Sequence, residues 1–315
     1  MLKCGQEVID LNKLSINAIK ITNKLIEISK DFQNHCLVLL DPFLNPIDET
    51  FMKYFQNRLR LYQVPIMHSS VPAVKRPWLI QLDLRDKYEQ AVLIYMLDRA
   101  LKQLKPEFIA IGKGQQYCAW LFTNANPKSI ADGLGQLALQ KHGNTVLLRY
   151  YDPAVFFQLM SLLNPTQQNL LLGEIKIWGM LSREGVLKIR NHEGKVYPVY
   201  GGKLNLTHEQ YQQIECIVVN NKIIQSMRLE EAIINIDEIK MLKQISPCLI
   251  RLKKKNIEDQ DLQLEWAKLA LRLGQNFDLI ESIAKKIETF LHYREYLPLV
   301  KQLQTISQHD WQTLA

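Results

Sequence analysis

The sequence predicts an α/β N-terminal lobe with a small antiparallel β meander, followed by an all-α C-terminal lobe. Over residues 35–165, short apolar runs of strand length alternate with segments of helical periodicity, which is typical of an α/β layer. Over residues 174–200, apolar and polar residues alternate in short segments separated by glycine-containing turns, and this pattern predicts the meander. The remainder shows only helical periodicity. The Gly201-Gly202 pair is the best hinge candidate, and it separates a domain at 1–202 from a helical domain at 203–315.

The elements of the first half alternate in a regular order. Apolar residues that recur every three or four positions predict a helix, and a short apolar run closed by Asp, Asn or Pro predicts a buried strand. These two criteria predict helices at 14–32, 48–61 and 87–104, and strands at 36–42, 77–83 and 117–124. Whether neighbouring strands are parallel does not follow from the pattern.

A strand that passes directly into a capped helix is predicted after residue 144. The run TVLLRYYD, residues 145–152, is β-branched, aromatic and apolar, and it follows a helix predicted at 126–141. Asp152 can accept hydrogen bonds from the free N–H groups of the next helix, and Pro153 lacks the N–H that would be unpaired there. Asn164-Pro165 repeats the arrangement, and its helix ends at Gly173.

The C-terminal lobe is predicted to consist of helices alone. Thr207 is a candidate N-cap, and Gln210 completes a possible capping box with it. Helical segments follow at 208–232, 236–255, 262–274, 277–293 and 295–306. A lobe of this length can bury a modest core of its own.

Composition indicates a globular protein that stays in the cytoplasm. The chain has 315 residues, 47% of them hydrophobic and 23% charged, and it shows neither a signal-peptide start nor an apolar run long enough to enter a membrane stably. The five cysteines are scattered and the seven histidines form no i, i+4 pair, so we expect free thiols, no metal site and no cofactor.

The net charge of +7 is unevenly distributed. Residues 1–204 carry 25 Lys and Arg against 17 Asp and Glu, whereas residues 205–315 carry 14 against 15. The basic residues are spread singly rather than clustered on one segment, so we expect no nucleic-acid partner. The excess positive charge predicts instead that at least one protein partner presents an acidic surface.

One charged constellation is open to two interpretations. Asp41, Arg149 and Asp152 all follow predicted strands, and ligand sites of open α/β sheets lie at strand ends. An arginine between two carboxylates could bind a small anion, such as a phosphate, in an enzyme. It could equally be a structural ion pair, because a buried charge generally needs a partner.

The stretch VLLRYYDPAVFFQLMSLLNPTQQNLLLGEIKIW, residues 146–178, resembles the signature of the effector-adaptor chaperones of bacterial type VI secretion. That signature comprises an apolar strand, an Arg-aromatic-Tyr-Asp-Pro-Arg run, an apolar helix, a Pro-x-Gln turn and a Gly-Pro-x-x-x-Trp-like close. The segments at 36–44 and 77–83 resemble the upstream strands of the family, so the likeness covers roughly residues 35–180. Ala154 and Glu174 depart from the family pattern, which has arginine and proline at these positions.

The resemblance implies a protein that is not an enzyme. Such adaptors bind a specific toxin before secretion, shield its apolar segments and load it onto the valine-glycine-repeat spike protein. The expected partners are therefore a cognate secreted effector and the spike protein. The candidate partner-binding residues are Arg149, Tyr151, Asp152, Asp41 and Trp178.

Overall fold

The computed structural model describes residues 2–4, 7–9, 14–43, 60–110, 114–192, 203–230, 236–293 and 296–305. The chain divides into two compact units. The first comprises Met1–Phe156 and Leu163–Asn205, and the second comprises Phe157–Leu162 and Leu206–Ala315.

The first unit is built around one antiparallel sheet. Its strands are β1 (Leu2–Cys4), β2 (Glu7–Ile9), β3 (His35–Leu40), β4 (Arg60–Gln63), β5 (Trp78–Asp83), β6 (Tyr117–Phe122), β7 (Leu139–His142), β8 (Asn144–Leu147), β9 (Ile177–Leu181) and β10 (Leu187–Asn191). Six of them form the sheet in the order β10-β9-β6-β3-β5-β4, and every neighbouring pair is antiparallel. The pairs β1–β2 and β7–β8 are separate hairpins.

Among the described residues, six α-helices lie between residues 16 and 172, with residues 157–162 of the fifth belonging to the second unit, and side-chain caps define where most of them begin. They are α1 (Ile16–Ser29), α2 (Lys87–Gln103), α3 (Pro106–Ala110), α4 (Pro127–Leu137), α5 (Pro153–Leu162) and α6 (Pro165–Leu172). Ser15, Asp86 and Asn126 each accept a hydrogen bond from a backbone N–H in the first turn of α1, α2 and α4. These side chains satisfy N–H groups that have no partner inside the helix.

The main core lies between one face of the sheet and the helices α1 and α2. Helix residues such as Leu25 and Leu93 meet strand residues such as Val38 and Trp120, all of them fully buried. Because successive strand residues point to opposite faces, Leu37 and Leu39 of β3 occupy the other side of the sheet. Both faces of the central strands are covered, which explains why β3 and β6 are nearly continuous apolar runs.

The second unit is entirely helical. Its helices are α7 (His208–Glu230), α8 (Glu238–Lys254), α9 (Gln260–Leu273), α10 (Glu281–Tyr293) and α11 (Tyr296–Thr305). Thr207 and Gln210 form the predicted capping box, since each backbone N–H donates to the other's side-chain oxygen. A buried polar network ties residues 157–162 to this unit, with Asn220 Nδ2 donating to Gln158 Oε1 at 2.7 Å. The predicted fold class, an α/β lobe with a small antiparallel β meander followed by a helical lobe, is confirmed.

Three local predictions differ from the structure. Residues 60–61 belong to β4 rather than to a helix, because Leu61 pairs with Ile80 and tertiary pairing overrides the local pattern; residues 48–59 lie outside the described part. Residues 139–142 form a strand, since Gly143 adopts a φ of 69° that allows a tight turn into β8.

The third difference lies just before α5. The strand expected at 145–152 ends at Leu147, because Asp152 N–H donates to the Arg149 carbonyl in a turn before α5. The first two strands of the predicted meander are confirmed as the antiparallel pair β9–β10, and β9 also pairs with β6, so the pair extends the six-stranded sheet. Its predicted third segment at 195–202 and the Gly201-Gly202 pair lie outside the described residues.

Among the described residues, no helix combines the length and apolar character needed to cross a membrane.

The buried cysteines are expected to resist thiol reagents in the folded protein. Cys36, Cys118, Cys216 and Cys248 are free and buried, as predicted for free thiols. Burial raises the pKa of the Cys216 thiol to about 11 and that of the Cys248 thiol to about 12. The reactive thiolate is therefore scarce at pH 8. Iodoacetamide labelling read by peptide mass spectrometry should modify these four residues only after denaturant is added, and rapid labelling of the native chain would contradict their placement.

Candidate functional site

The structure brings Asp41, Arg149 and Asp152 together, as the sequence predicted. Arg149 Nη2 lies 2.7 Å from Asp41 Oδ2 and 3.4 Å from Asp152 Oδ2. Asp41 directly follows β3, Arg149 lies in the turn after β8, and Asp152 immediately precedes α5. One guanidinium thus joins three separate elements of the first unit.

Asp41 is held almost entirely away from water. Its side chain is 1% exposed, and its Oδ1 accepts a hydrogen bond of 2.9 Å from the Phe43 N–H. Its own N–H donates to the Gln116 carbonyl, and the Gln116 N–H donates in turn to Gln103 Oε1 of α2. Burial raises the pKa of Asp41, whereas Arg149 and the Phe43 N–H lower it, so the net shift is upward. An unpaired carboxylate at this position would be strongly unfavourable.

Arg149 is the group that neutralises this carboxylate. Burial lowers its pKa, but the charges of Asp152 and Asp41 raise it by more, so it stays protonated. Its guanidinium carbon lies 4.8 Å from the centre of the Phe43 ring, a distance at which cation–π attraction operates. With two carboxylates around one guanidinium, the cluster carries one positive and two negative charges. This arrangement stabilises the arginine and opposes the approach of a further anion.

Asp152 is the N-cap of α5. Its Oδ1 accepts a hydrogen bond of 2.9 Å from the Ala154 N–H, and Pro153 fills the first helical position. The cap explains why an Asp-Pro pair separates two apolar runs in this stretch of the sequence. Asp152 therefore holds the helix start and the arginine at the same time.

Replacement of Asp152 separates the structural role of its carboxylate from a chemical one. Asp152→Ala is expected to lower the free energy of unfolding by about 0.5–2 kcal/mol, because the cap is lost. Asp152→Asn keeps a capping oxygen and loses only a weak ion pair, so it should stay within about 1 kcal/mol of the wild type. Urea unfolding followed by circular dichroism measures both. An asparagine variant as unstable as the alanine variant would show that the charge, not the cap, is what matters.

The aromatic residues of the signature form a buried cluster behind Arg149. The Phe156 and Trp178 rings are stacked, with centroids 5.0 Å apart and an interplanar angle of 19°. The Tyr150 ring packs against two others: its centroid lies 5.7 Å from that of Tyr151 and 6.1 Å from that of Trp178. None of the four is more than 2% exposed. Tyr151 and Trp178, two of the predicted partner-binding residues, are therefore packed inside the first unit.

The remaining signature positions also have structural functions. Gln167 forms a capping box with Asn164 at the start of α6. Its side-chain Nε2 also donates to the Leu204 and Asn205 carbonyls, 3.2 and 3.3 Å away. Gly173 ends α6 at φ 56° and ψ −123°, a backbone conformation that L residues avoid. Gln167 and Gly173 of the signature thus each match a local structural requirement.

Two residues of the cluster were missed in the sequence. Phe43 supplies both a backbone donor to Asp41 and a ring beneath Arg149, and Gln116 fixes the Asp41 backbone. The spacing Asp41-Pro42-Phe43 is the available signal for the first, because an Asp often accepts the N–H two residues ahead. Gln116 carries no comparable signal, since its role depends on pairing across the sheet.

No group of three or more His, Cys, Asp or Glu side chains suited to hold a metal ion occurs in the part of the chain that the structure describes.

Comparison of the chain with protein-family models, with curated proteins and with solved structures gives no match.

Proposed function

We propose that this chain is a non-enzymatic adaptor chaperone of bacterial type VI secretion. It binds one specific secreted effector in the cytoplasm and helps to load it onto the valine-glycine-repeat spike protein. The observation that carries the proposal is that signature residues and Asp41 form an ion-pair cluster and an aromatic cluster in the first unit. Arg149 is paired with Asp41 and Asp152, and ring contacts join Tyr150, Tyr151, Phe156 and Trp178.

Three contacts support this interpretation of the signature. The arginine of the signature binds its own aspartate and the aspartate after β3. The aromatic residues pack on the tryptophan that closes the signature. The glutamine of the Pro-x-Gln turn caps the second helix. The resemblance therefore concerns residues that stabilise the fold.

The alternative, a small-ligand or phosphate-binding enzyme, finds less support in the geometry. Arg149 Nη2 is already paired with a buried carboxylate at 2.7 Å. A phosphate would have to displace Asp41 from that position and would leave its carboxylate buried without a partner. The arrangement favours a structural ion pair.

Burial of the signature also bears on where a partner binds. Because Asp41, Tyr151 and Trp178 are each at most 2% exposed, we assign them a supporting role and place the contacts on other surfaces. The excess of basic residues in 1–204 favours an acidic partner surface. Association should then slow markedly as NaCl is raised from about 0.05 to 0.5 M, and a rate indifferent to salt would contradict this part of the proposal.

Co-expression tests the proposal. The chain should be produced together with, and separately from, the large product of the neighbouring gene, and each preparation resolved by size-exclusion chromatography. We expect a stoichiometric complex, with the neighbouring product soluble only when this chain is present. An unrelated globular protein of similar size and charge serves as the control for a general solubilising effect. If the neighbouring product is soluble alone and the two elute apart, the adaptor assignment fails.

A further inference from the structure

A cleft in the first unit lies between α4 and α6, apart from the Asp41–Arg149–Asp152 cluster. It has a volume of about 220 Å³. Its apolar lining is formed by Ile130, Leu134, Leu171 and Ile175, which are all buried. The polar residues Asp132, Tyr150 and Glu174 also line it. The cleft therefore combines an apolar floor with several oxygen acceptors.

Gly133 keeps this cleft open. It occupies the middle of α4, where glycine destabilises a helix relative to alanine. A Cβ built at Gly133 would meet no atom within 4 Å, so packing in the free protein does not require glycine. Gly135, two residues further along α4, is required by packing, because a Cβ there would lie 2.8 Å from the Pro65 carbonyl oxygen. Glycine at position 133 therefore lowers the stability of α4 and leaves space beside the helix. Such a combination is expected where a ligand occupies that space.

Tyr150 presents a buried polar group at the same place. Its side chain is 0% exposed, and its hydroxyl has no hydrogen-bond partner among the residues that the structure describes. A buried hydroxyl without a partner is unfavourable, because it has lost its hydrogen bonds to water. A phenylalanine would fill the same volume without that penalty. A donor brought in by a ligand would satisfy the hydroxyl as an acceptor.

Glu174 places a carboxylate at the C-terminal end of α6, where the helix dipole already carries a partial negative charge. It follows Gly173 at the C-terminal end of α6, and the last turn of α6 contains no basic residue. The C-terminus of a helix favours cations and disfavours carboxylates. Within the described residues, Glu174 forms no ion pair, whereas Asp132 is paired with Lys128 at 2.7 Å. The Glu174 carboxylate is thus available to a cation from outside.

We propose that the cleft between α4 and α6 binds the side chain of a lysine or arginine carried by a segment of a partner protein. The aliphatic stem would lie on the leucine and isoleucine floor, and the cationic head would reach Glu174 and Tyr150. The volume is below the range of about 300–1,000 Å³ usual for drug-sized ligands and cofactors, so it suits a single long side chain. Long cationic side chains commonly bury their stems while the charge meets a carboxylate at the rim.

The source of the cation, a partner segment, rests on the proposed function, whereas the cation site itself does not. A basic segment binding here would meet a local acidic spot in a lobe that is basic overall. The site and the adaptor function can therefore be tested separately.

The cation site is tested with small probes on the full chain. N-acetyl-arginine amide and N-acetyl-lysine amide are titrated against protein with labelled Ile and Leu methyl groups, and N-acetyl-norleucine amide serves as the neutral analogue. We expect saturable NMR shifts at Ile130, Leu134 and Leu171 with the two cations and not with norleucine. Equal shifts with norleucine would show a merely apolar cleft, and no shift with either cation would overturn the site.

Matched variants locate the binding. Glu174→Gln is expected to weaken binding of the cationic amides by about tenfold or more, because the charged acceptor is lost. Glu184→Gln, which removes the same charge from the exposed β9–β10 turn, should leave it unchanged. Gly133→Leu should abolish binding by filling the cleft. If Glu184→Gln and Glu174→Gln behave alike, the effect is one of net charge and the proposal fails.

Two further variants give a readout that does not involve a ligand. Gly133→Ala and Tyr150→Phe should each raise the melting temperature of the free protein by about 1–4 °C, while weakening binding of the amides. A fall in melting temperature for both would assign these residues to the packing of the free fold and would contradict the proposal. If the amides bind but Gly133→Leu leaves the co-expressed complex intact, the cation does not come from the partner segment.

Discussion

Replacing Arg149 by alanine is expected to lower the free energy of unfolding by about 3–5 kcal/mol, because it leaves the buried Asp41 carboxylate without its partner. Asp41 is 1% exposed in its side chain, and Phe43 N–H alone does not neutralise it. Unfolding in guanidinium chloride, followed by tryptophan fluorescence, measures this decrease in the free energy of unfolding. The effect should be much larger than that of Lys128→Ala, which breaks an exposed pair.

A double variant separates two contributions to stability: the penalty for leaving the Asp41 carboxylate unpaired, and the stabilisation by the Asp41–Arg149 ion pair itself. Asp41→Asn combined with Arg149→Met removes both charges, and it should recover most of the stability lost in Arg149→Ala. If the double variant is as unstable as the single one, the arginine stabilises the fold through contacts other than the ion pair. Its stacking on the Phe43 ring would then be the first candidate.

The Arg149→Ala penalty should depend on pH in a definite direction. Burial raises the pKa of Asp41, and removal of Arg149 takes away a charge that lowers it. The folded variant then binds a proton more tightly than the unfolded chain, so its stability is retained at low pH and lost as the pH rises through the raised pKa. The difference from wild type should therefore shrink between about pH 7 and pH 4. A difference that grows on acidification would contradict this.

Trp178→Ala is expected to destabilise the protein by about 3–5 kcal/mol, the usual loss when a fully buried tryptophan is truncated. The ring is 1% exposed and stacks on Phe156, and its Nε1 has no hydrogen-bond partner among the described residues. Trp178→Phe keeps an aromatic ring and sacrifices no hydrogen bond, so it should lose far less. Differential scanning calorimetry compares the two.

The partner-binding alternative for Trp178 makes a different prediction. If the indole contacted a partner directly, Trp178→Phe would weaken the co-expressed complex while leaving the fold nearly unchanged. We expect the complex to survive in this variant, because the ring lies inside the first unit.

The caps and the order of elements were predictable from the sequence because they are local. Asn126, Asp152, Asn164 and Thr207 cap the helices that the sequence assigned to them, since each acts on N–H groups two or three residues away. The helical periodicity of the second unit was equally readable. The bounds of its five helices agree with the predicted segments to within a few residues.

What the sequence did not reveal depends on contacts between distant residues. The antiparallel order of the sheet follows from pairings such as Val38 with Ile80 and with Trp120, residues that are far apart along the chain. Asp41 and Arg149 were grouped because both follow predicted strands, and ligand sites of open α/β sheets lie at strand ends. The structure brings them together through a turn after a separate hairpin. The cleft at Gly133 left no motif at all, because its walls come from α4 and α6.

We propose that the signature residues stabilise an adaptor fold and neither catalyse a reaction nor contact the partner. This proposal is tested most directly by the mass of the complex that Asp152→Asn forms with the neighbouring gene product, measured by light scattering after size exclusion. We predict one complex of the same mass and yield as for the wild type, because the cap is preserved. A folded Asp152→Asn variant that no longer holds the partner would contradict the claim and would make this cluster the binding site.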